Sequence, residues 1–95
     1  MGGLGTIPGA NIGEGIAIFE AVHGSAPDVA GKDIANPTAL ILSACLMLEH
    51  IGQEEPAQKI RQAVDTVLST PENFTRDLGG EQSLSVYTEK LIAAM

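Results

Sequence analysis

Ile16-Ala17-Ile18-Phe19-Glu20-Ala21-Val22 is followed by His23-Gly24-Ser25-Ala26-Pro27-Asp28-Val29-Ala30-Gly31-Lys32-Asp33-Ile34-Ala35, and then by Asn36-Pro37. The first run is short, apolar, β-branched and aromatic, and Gly24 closes it, which reads as a buried strand. Thirteen residues, 23–35, then form a connection that is long for a structural link, and long ordered loops are more often functional. Asn36 at a helix N-cap with Pro37 preorganised at the first helical position starts a helix. Strand, small-residue loop and capped helix in this order indicate an α/β fold. In open α/β sheets ligands lie beyond the carboxyl ends of the strands, and this loop would sit there.

Downstream, the helix from Pro37 to about Ile51 is apolar on most faces, so burial is expected, with Gly52 as its stop. A second helix begins near Glu54-Glu55-Pro56, where acidic residues suit the positive helix end. Its inward positions are Ala57, Ile60, Val64, Val67 and Leu68, with Lys59, Arg61, Gln62 and Asp65 toward solvent and Pro71 beyond its end. Residues 72–80 read as a loop. A third helix runs from about Ser83 to the end, with Leu84, Val86 or Tyr87, Leu91 and Ile92 inward. Upstream, the first fifteen residues carry six glycines, Pro8 and Asn11, which reads as loop chemistry. One strand and three helices do not close a layer, because a lone strand leaves both edges unpaired. The expectation is a single partial domain whose sheet is completed by sequence upstream, which would also cover the apolar first helix.

Composition narrows the possible partners. Hydrophobic residues are 44% of the 95-residue chain, enough to fold. Twelve acidic residues against five basic ones give a net charge of −7, and no stretch gathers Lys or Arg, so nucleic acid and anionic membranes are poor partners. No apolar run reaches membrane-spanning length, and the N-terminus shows no secretory pattern; a cytoplasmic location is the expectation. The single cysteine, Cys45, lies in an apolar run and reads as an inert core thiol. His50 reads as a favourable charge at a helix C-terminus.

Within residues 20–37, Gly24, Ser25 and Ala26 would let a ligand approach the main chain, and the helix start at Asn36 favours anions. A carboxylate such as Asp28, beside a ribose, accepts hydrogen bonds from both hydroxyls and repels a 2′-phosphate. That favours NAD over NADP. The same composition also suits a loop that only connects.

Four segments carry a resemblance: Gly-Gly-Leu-Gly-Thr-Ile-Pro-Gly-Ala-Asn-Ile-Gly at 2–13, His-Gly-Ser-Ala-Pro-Asp-Val-Ala-Gly-Lys at 23–32, Ala-Asn-Pro-Thr-Ala at 35–39 and Thr-Arg-Asp-Leu-Gly-Gly at 75–80. They resemble the C-terminal stretch of the β-decarboxylating dehydrogenases, which act on isocitrate, 3-isopropylmalate, homoisocitrate and tartrate or malate. Within that family, the first and last segments look most like the NAD-dependent isocitrate dehydrogenases of the tricarboxylic acid cycle. The resemblance implies that residues 1–95 are the C-terminal part of the large, nucleotide-binding domain.

It also implies that His23, Gly24, Ser25, Ala26, Pro27, Asp28 and Val29 wrap the adenosine half of NAD and that Asn36 hydrogen-bonds the adenine. Asp77 would approach the adenine side from a later loop, and Glu20 would lie near the nicotinamide end. The family holds Mg²⁺ or Mn²⁺ with aspartates, binds its substrate carboxylates with arginines and moves protons with a Tyr and Lys pair. All of these fall upstream, so no catalytic or metal-binding residue is assigned to this chain. The expected function is the NAD-binding portion of an isocitrate dehydrogenase, inactive alone, that meets isocitrate only in the full enzyme and works as a homo-oligomer or with a complementing fragment. The alternatives are a 3-isopropylmalate dehydrogenase fragment and a self-associating, non-enzymatic binding module.

Overall fold

A computed structural model describes residues 6–22 and 30–95. Two strands, β1 (Pro8–Gly13) and β2 (Ile16–Ala21), form an antiparallel hairpin, and three helices follow: α1 (Thr38–His50), α2 (Glu54–Leu68) and α3 (Leu84–Ala94). Two single 3-10 turns, Pro71–Asn73 and Arg76–Leu78, lie between α2 and α3.

The glycine-rich start is thus not all loop. Residues 8–13 pair with 21–16 in register, from Pro8 opposite Ala21 to Gly13 opposite Ile16, and Val22 N–H donates to Ile7 O at 3.1 Å. Pro8 is tolerated because it stands first in its strand and owes the ladder no N–H. Gly9 is small for a reason of contact: a Cβ there would lie 2.8 Å from Val22 Cγ2 and 3.3 Å from Glu20 O. Composition alone reads such a stretch as turn, because close backbone approach is not visible in one strand.

β2 is half-buried, not buried as expected. Its exposure alternates, with Ile16 and Ile18 68% and 55% exposed and Ala17, Phe19 and Ala21 partly covered. Successive strand side chains point to opposite faces, and α1 covers only one of them. α1 is likewise covered on one side: Thr38, Ala39, Ser43 and Cys45 are buried, whereas Leu40, Met47 and Ile51 are exposed. The Ser43 hydroxyl ties the two elements together, lying 2.7 Å from Glu20 O and 2.8 Å from Ala39 O. Gly52 ends α1 as expected, with Gln53 N–H donating back to Leu48 O at 2.7 Å.

The core sits between the helices. Val64 and Val67 of α2 pack with Tyr87 and Leu91 of α3, and Ile41, Leu42 and Leu68 lean on them. On α3, Tyr87 is the inward residue and Val86 is exposed; Ile92, expected inward, is 65% exposed. Ile92 follows Leu91 by a single residue, about 100° around the helix, so the two do not share the inner face. Arg61 is not merely solvated: its Nη2 meets Glu49 Oε1 at 2.8 Å, linking α2 to α1.

The N-terminus of α3 is fully satisfied. Leu84 N–H donates to Asp33 O at 2.8 Å and Ser85 N–H to Asp33 Oδ1 at 3.0 Å. Ser83 Oγ accepts from Val86 N–H at 3.2 Å, and Ser83 N–H donates to Gln82 Oε1 at 3.2 Å. The four amides that lack intrahelical partners at a helix start are thereby all used. Asp33, in the segment that leads into α1, adopts a left-handed backbone with φ of 57° and pins that segment to α3.

Candidate functional site

Asn36, expected at the N-cap with Pro37 opening the helix, stands one residue earlier: Pro37 is the N-cap and α1 opens at Thr38. Asn36 Oδ1 accepts from Thr38 N–H at 3.0 Å, a local side-chain-to-backbone turn that fixes where the chain enters the helix. Thr38 Oγ1 also donates to Asn36 Oδ1, at 2.5 Å. Thr38 itself is buried, and its hydroxyl lies 2.6 Å from the hydroxyl of Tyr87, which is fully buried on α3. Burial holds the Tyr87 phenol above its ordinary range, with the Thr38 hydrogen bond opposing part of that rise and the nearby Asp77 carboxylate adding to it. The phenol is therefore protonated at neutral pH.

The second half of the cluster comes from the turn at residues 75–80. Asp77 lies 41 positions after Asn36, yet Asn36 Nδ2 donates to Asp77 Oδ2 at 3.2 Å. The buried Thr75 hydroxyl donates to Asp77 Oδ1 at 2.5 Å and orients the carboxylate from below. The tightness of this turn is built by Gly79 and Gly80. Gly79 has φ of 90°, and a Cβ on Gly80 would sit 2.0 Å from Phe74 O and 2.6 Å from Phe74 C. Gly80 N–H bonds Thr75 O and Gln82 N–H bonds Phe74 O, both at 3.0 Å, so the loop folds back on its own start and holds Asp77 out.

Asp77, though not Asn36, also lines an open groove of about 500 Å³, whose wall carries Thr6, Thr38 and Asp65 and whose apolar lining is Leu42, Val64, Leu68, Phe74 and Leu78. A concave, mostly apolar wall with a few fixed polar groups is the usual form of a small-molecule site.

Of the residues singled out from sequence, Asn36 and Asp77 are brought together. Glu20 takes no part in their cluster; it is exposed on β2, and its carbonyl, not its carboxylate, holds Ser43. His23, Gly24, Ser25, Ala26, Pro27, Asp28 and Val29 lie outside the described residues. Sequence reasoning did not single out Thr38, Thr75 or Tyr87 for the site. Thr38 follows the Asn-Pro start and Thr75 opens the Thr-Arg-Asp segment, so proximity to the motifs was the available signal; Tyr87 had none beyond its place on the inner face of α3. Among the described residues, no three His, Cys, Asp or Glu side chains gather in a way that could hold a metal ion, and no helix is long and apolar enough to cross a membrane.

Residues 1–95 match the sequence profile of the isocitrate/isopropylmalate dehydrogenase family. The chain is 52% identical over its whole length to an isocitrate/homoisocitrate dehydrogenase of Thermus thermophilus, of which it covers 28%. It is 56% identical over 92 residues to the mitochondrial isocitrate dehydrogenase [NAD] subunit 2 of Saccharomyces cerevisiae, covering 96% of this chain and 25% of the yeast protein. Among solved structures, isocitrate dehydrogenase from Methylococcus capsulatus superposes with a TM-score of 0.92 at 46% identity, over 98% of this chain and 28% of that one. The chain thus spans about a quarter of the length of these relatives.

Proposed function

The chain belongs to the isocitrate/isopropylmalate dehydrogenase family, and from that premise we propose that it is the NAD-binding portion of an isocitrate dehydrogenase, forming the wall that receives the adenosine half of the cofactor. The observation that carries this reading is the Asn36–Asp77 pair, two polar side chains from distant segments joined at 3.2 Å, with Asp77 on the wall of a mostly apolar groove. NAD, when bound, supplies the hydride acceptor. The chain's own residues bind and orient: Asn36 and Asp77 are assigned to the adenine and Asp28 to the ribose, where a carboxylate disfavours a 2′-phosphate. Isocitrate oxidation and decarboxylation belong to the complete enzyme, as do its Mg²⁺ or Mn²⁺ and its subunit assembly. The described residues do not fit a metal.

NMR titration of the isotopically labelled chain with NAD, NADP and ADP-ribose tests the assignment. Weak, millimolar binding is expected, with shifts at the Asn36 side-chain amide and at Asp77, similar for NAD and ADP-ribose and weaker for NADP. No NADH should form from isocitrate and Mn²⁺. Shifts confined to other surfaces, or turnover by the purified chain, overturn the proposal.

A second reading rests on the exposed apolar residues Ile16, Ile18, Leu40, Met47 and Ile51. Since the chain covers about a quarter of its relatives, this surface docks the remainder of the parent fold. Adding a separately expressed remainder should give a heterocomplex and restore activity; a homodimer that ignores the added piece points to self-association instead.

A further inference from the structure

The hydrogen-bond directions around Asn36 are determined by chemistry. Thr38 N–H can only donate, so the atom facing it is the amide oxygen. The Asp77 carboxylate can only accept, so the atom facing it is the amide nitrogen. Both ends of the amide therefore give the same orientation. The Thr38 hydroxyl has one proton, which goes to Asn36 Oδ1. The Tyr87 hydroxyl must then donate to Thr38 Oγ1 across their 2.6 Å contact. A one-way chain results, from Tyr87 through Thr38 to Asn36 and on to Asp77, with Thr75 supporting its far end. Its first two members are buried, where satisfied networks are rigid and reorientation would strand a polar group.

The outward face of this chain has a defined polarity. Asn36 Nδ2 carries a second N–H beyond the one given to Asp77, and the Asp77 carboxylate keeps free lone pairs beside it. A donor next to an acceptor complements adenine, whose 6-amino group donates next to an accepting ring nitrogen. Hypoxanthine has both signs reversed at position 6 and N1: its oxygen would meet the carboxylate and its ring N–H would meet the amide N–H. We infer that Thr38 and Tyr87 are positioning residues that lock the Asn36 amide with its nitrogen outward, so that Asn36 and Asp77 together select a 6-aminopurine over a 6-oxopurine. This inference rests on the cofactor reading above and adds to it the base discrimination and the two buried hydroxyls that maintain it.

The test compares AMP with IMP, which share ribose and phosphate, in titrations of the full chain followed at the Asn36 side-chain amide. A preference for AMP of about tenfold is expected, the lower end of what a bidentate pair gives at a base edge, because the pair is solvent-exposed. In Thr38→Val/Tyr87→Phe both hydroxyls go together, so no buried donor is stranded and the fold is retained; the preference should fall below about threefold. Asp77→Asn, at an exposed position and checked as folded by circular dichroism, exchanges an acceptor for a group that can also donate and should narrow the preference as well. Equal affinity for AMP and IMP in the unsubstituted chain refutes the base discrimination while leaving nucleotide binding intact. Full preference retained in the double variant, checked as folded by circular dichroism, refutes the positioning role. Binding of neither nucleotide overturns the cofactor reading and the inference together.

Discussion

Asp33 makes the most informative single substitution. Its carboxylate accepts from Ser85 N–H at 3.0 Å and from Ser85 Oγ–H at 2.5 Å, at the positive end of α3, while its backbone is left-handed with φ of 57°. Those two contributions have opposite signs. Losing a capping carboxylate costs about 0.5–2 kcal/mol, and the helix dipole adds roughly 0.3–1 kcal/mol for the charge. A left-handed backbone costs a residue with a Cβ about 1 kcal/mol relative to glycine, and Asp tolerates it better than Ala does. Asp33→Ala therefore loses the cap and keeps the strain, for a loss of roughly 0.8–3 kcal/mol. Asp33→Gly loses the cap but relieves the strain, for a loss about 1 kcal/mol smaller than that of Ala, in the range of roughly 0–2 kcal/mol. Urea unfolding followed by circular dichroism, with the midpoint multiplied by a common slope, gives both values. Equal losses for Ala and Gly would refute the strain assignment. A loss under about 0.5 kcal/mol for Ala, the range of an ordinary surface substitution, would refute the clamp.

Gly80→Ala should be the most damaging small change, since its Cβ would lie 2.0 Å from a main-chain oxygen, that of Phe74; a loss of at least about 3 kcal/mol, or a fall in Tm of more than roughly 12 °C, is expected in a thermal melt. Alkali should destabilise the chain through Tyr87, whose pKa is raised from 10.0 by burial. The folded state then holds its proton more tightly than the unfolded one, so this contribution is complete below about pH 10 and is lost as pH rises through the folded-state value. Tyr87→Phe should flatten that limb of a stability-versus-pH curve, and an unchanged limb would contradict the assignment. Cys45, buried and with its thiol likewise pushed up by burial, should react with a disulfide reagent only as fast as the chain unfolds, and rapid labelling in native buffer would contradict its inert role. The half-exposed Arg61–Glu49 pair is screened, so Arg61→Ala should cost no more than about 0.5 kcal/mol and less at high salt.

Helix limits were legible wherever a local group enforces them. Asn36 bonds the first amide of α1, one residue ahead of the N-cap, Gly52 stops the helix, the acidic pair at Glu54 and Glu55 opens α2, and Ser83 opens α3. The α2 face was legible too, because Ala57, Val64 and Val67 recur at helical spacing. β1 was not, since the pressure on Gly9 is a close approach of Val22 and Glu20 across the hairpin, which glycine and proline content alone reads as turn. The exposed flanks of β2 and α1 misled for a related reason: apolar content states that a face has something to cover it, not which neighbour does so.

The sequence by itself determined the family and the two motif residues Asn36 and Asp77, because each motif is a short run whose chemistry is carried by adjacent residues. Only the tertiary structure decided that these two side chains meet across 41 positions, and that Thr38 and Tyr87 stand behind them in a directed chain. Hydrogen-bond direction depends on which donors and acceptors face one another in space, and packing of α3 against α1 and α2 brings those groups within reach.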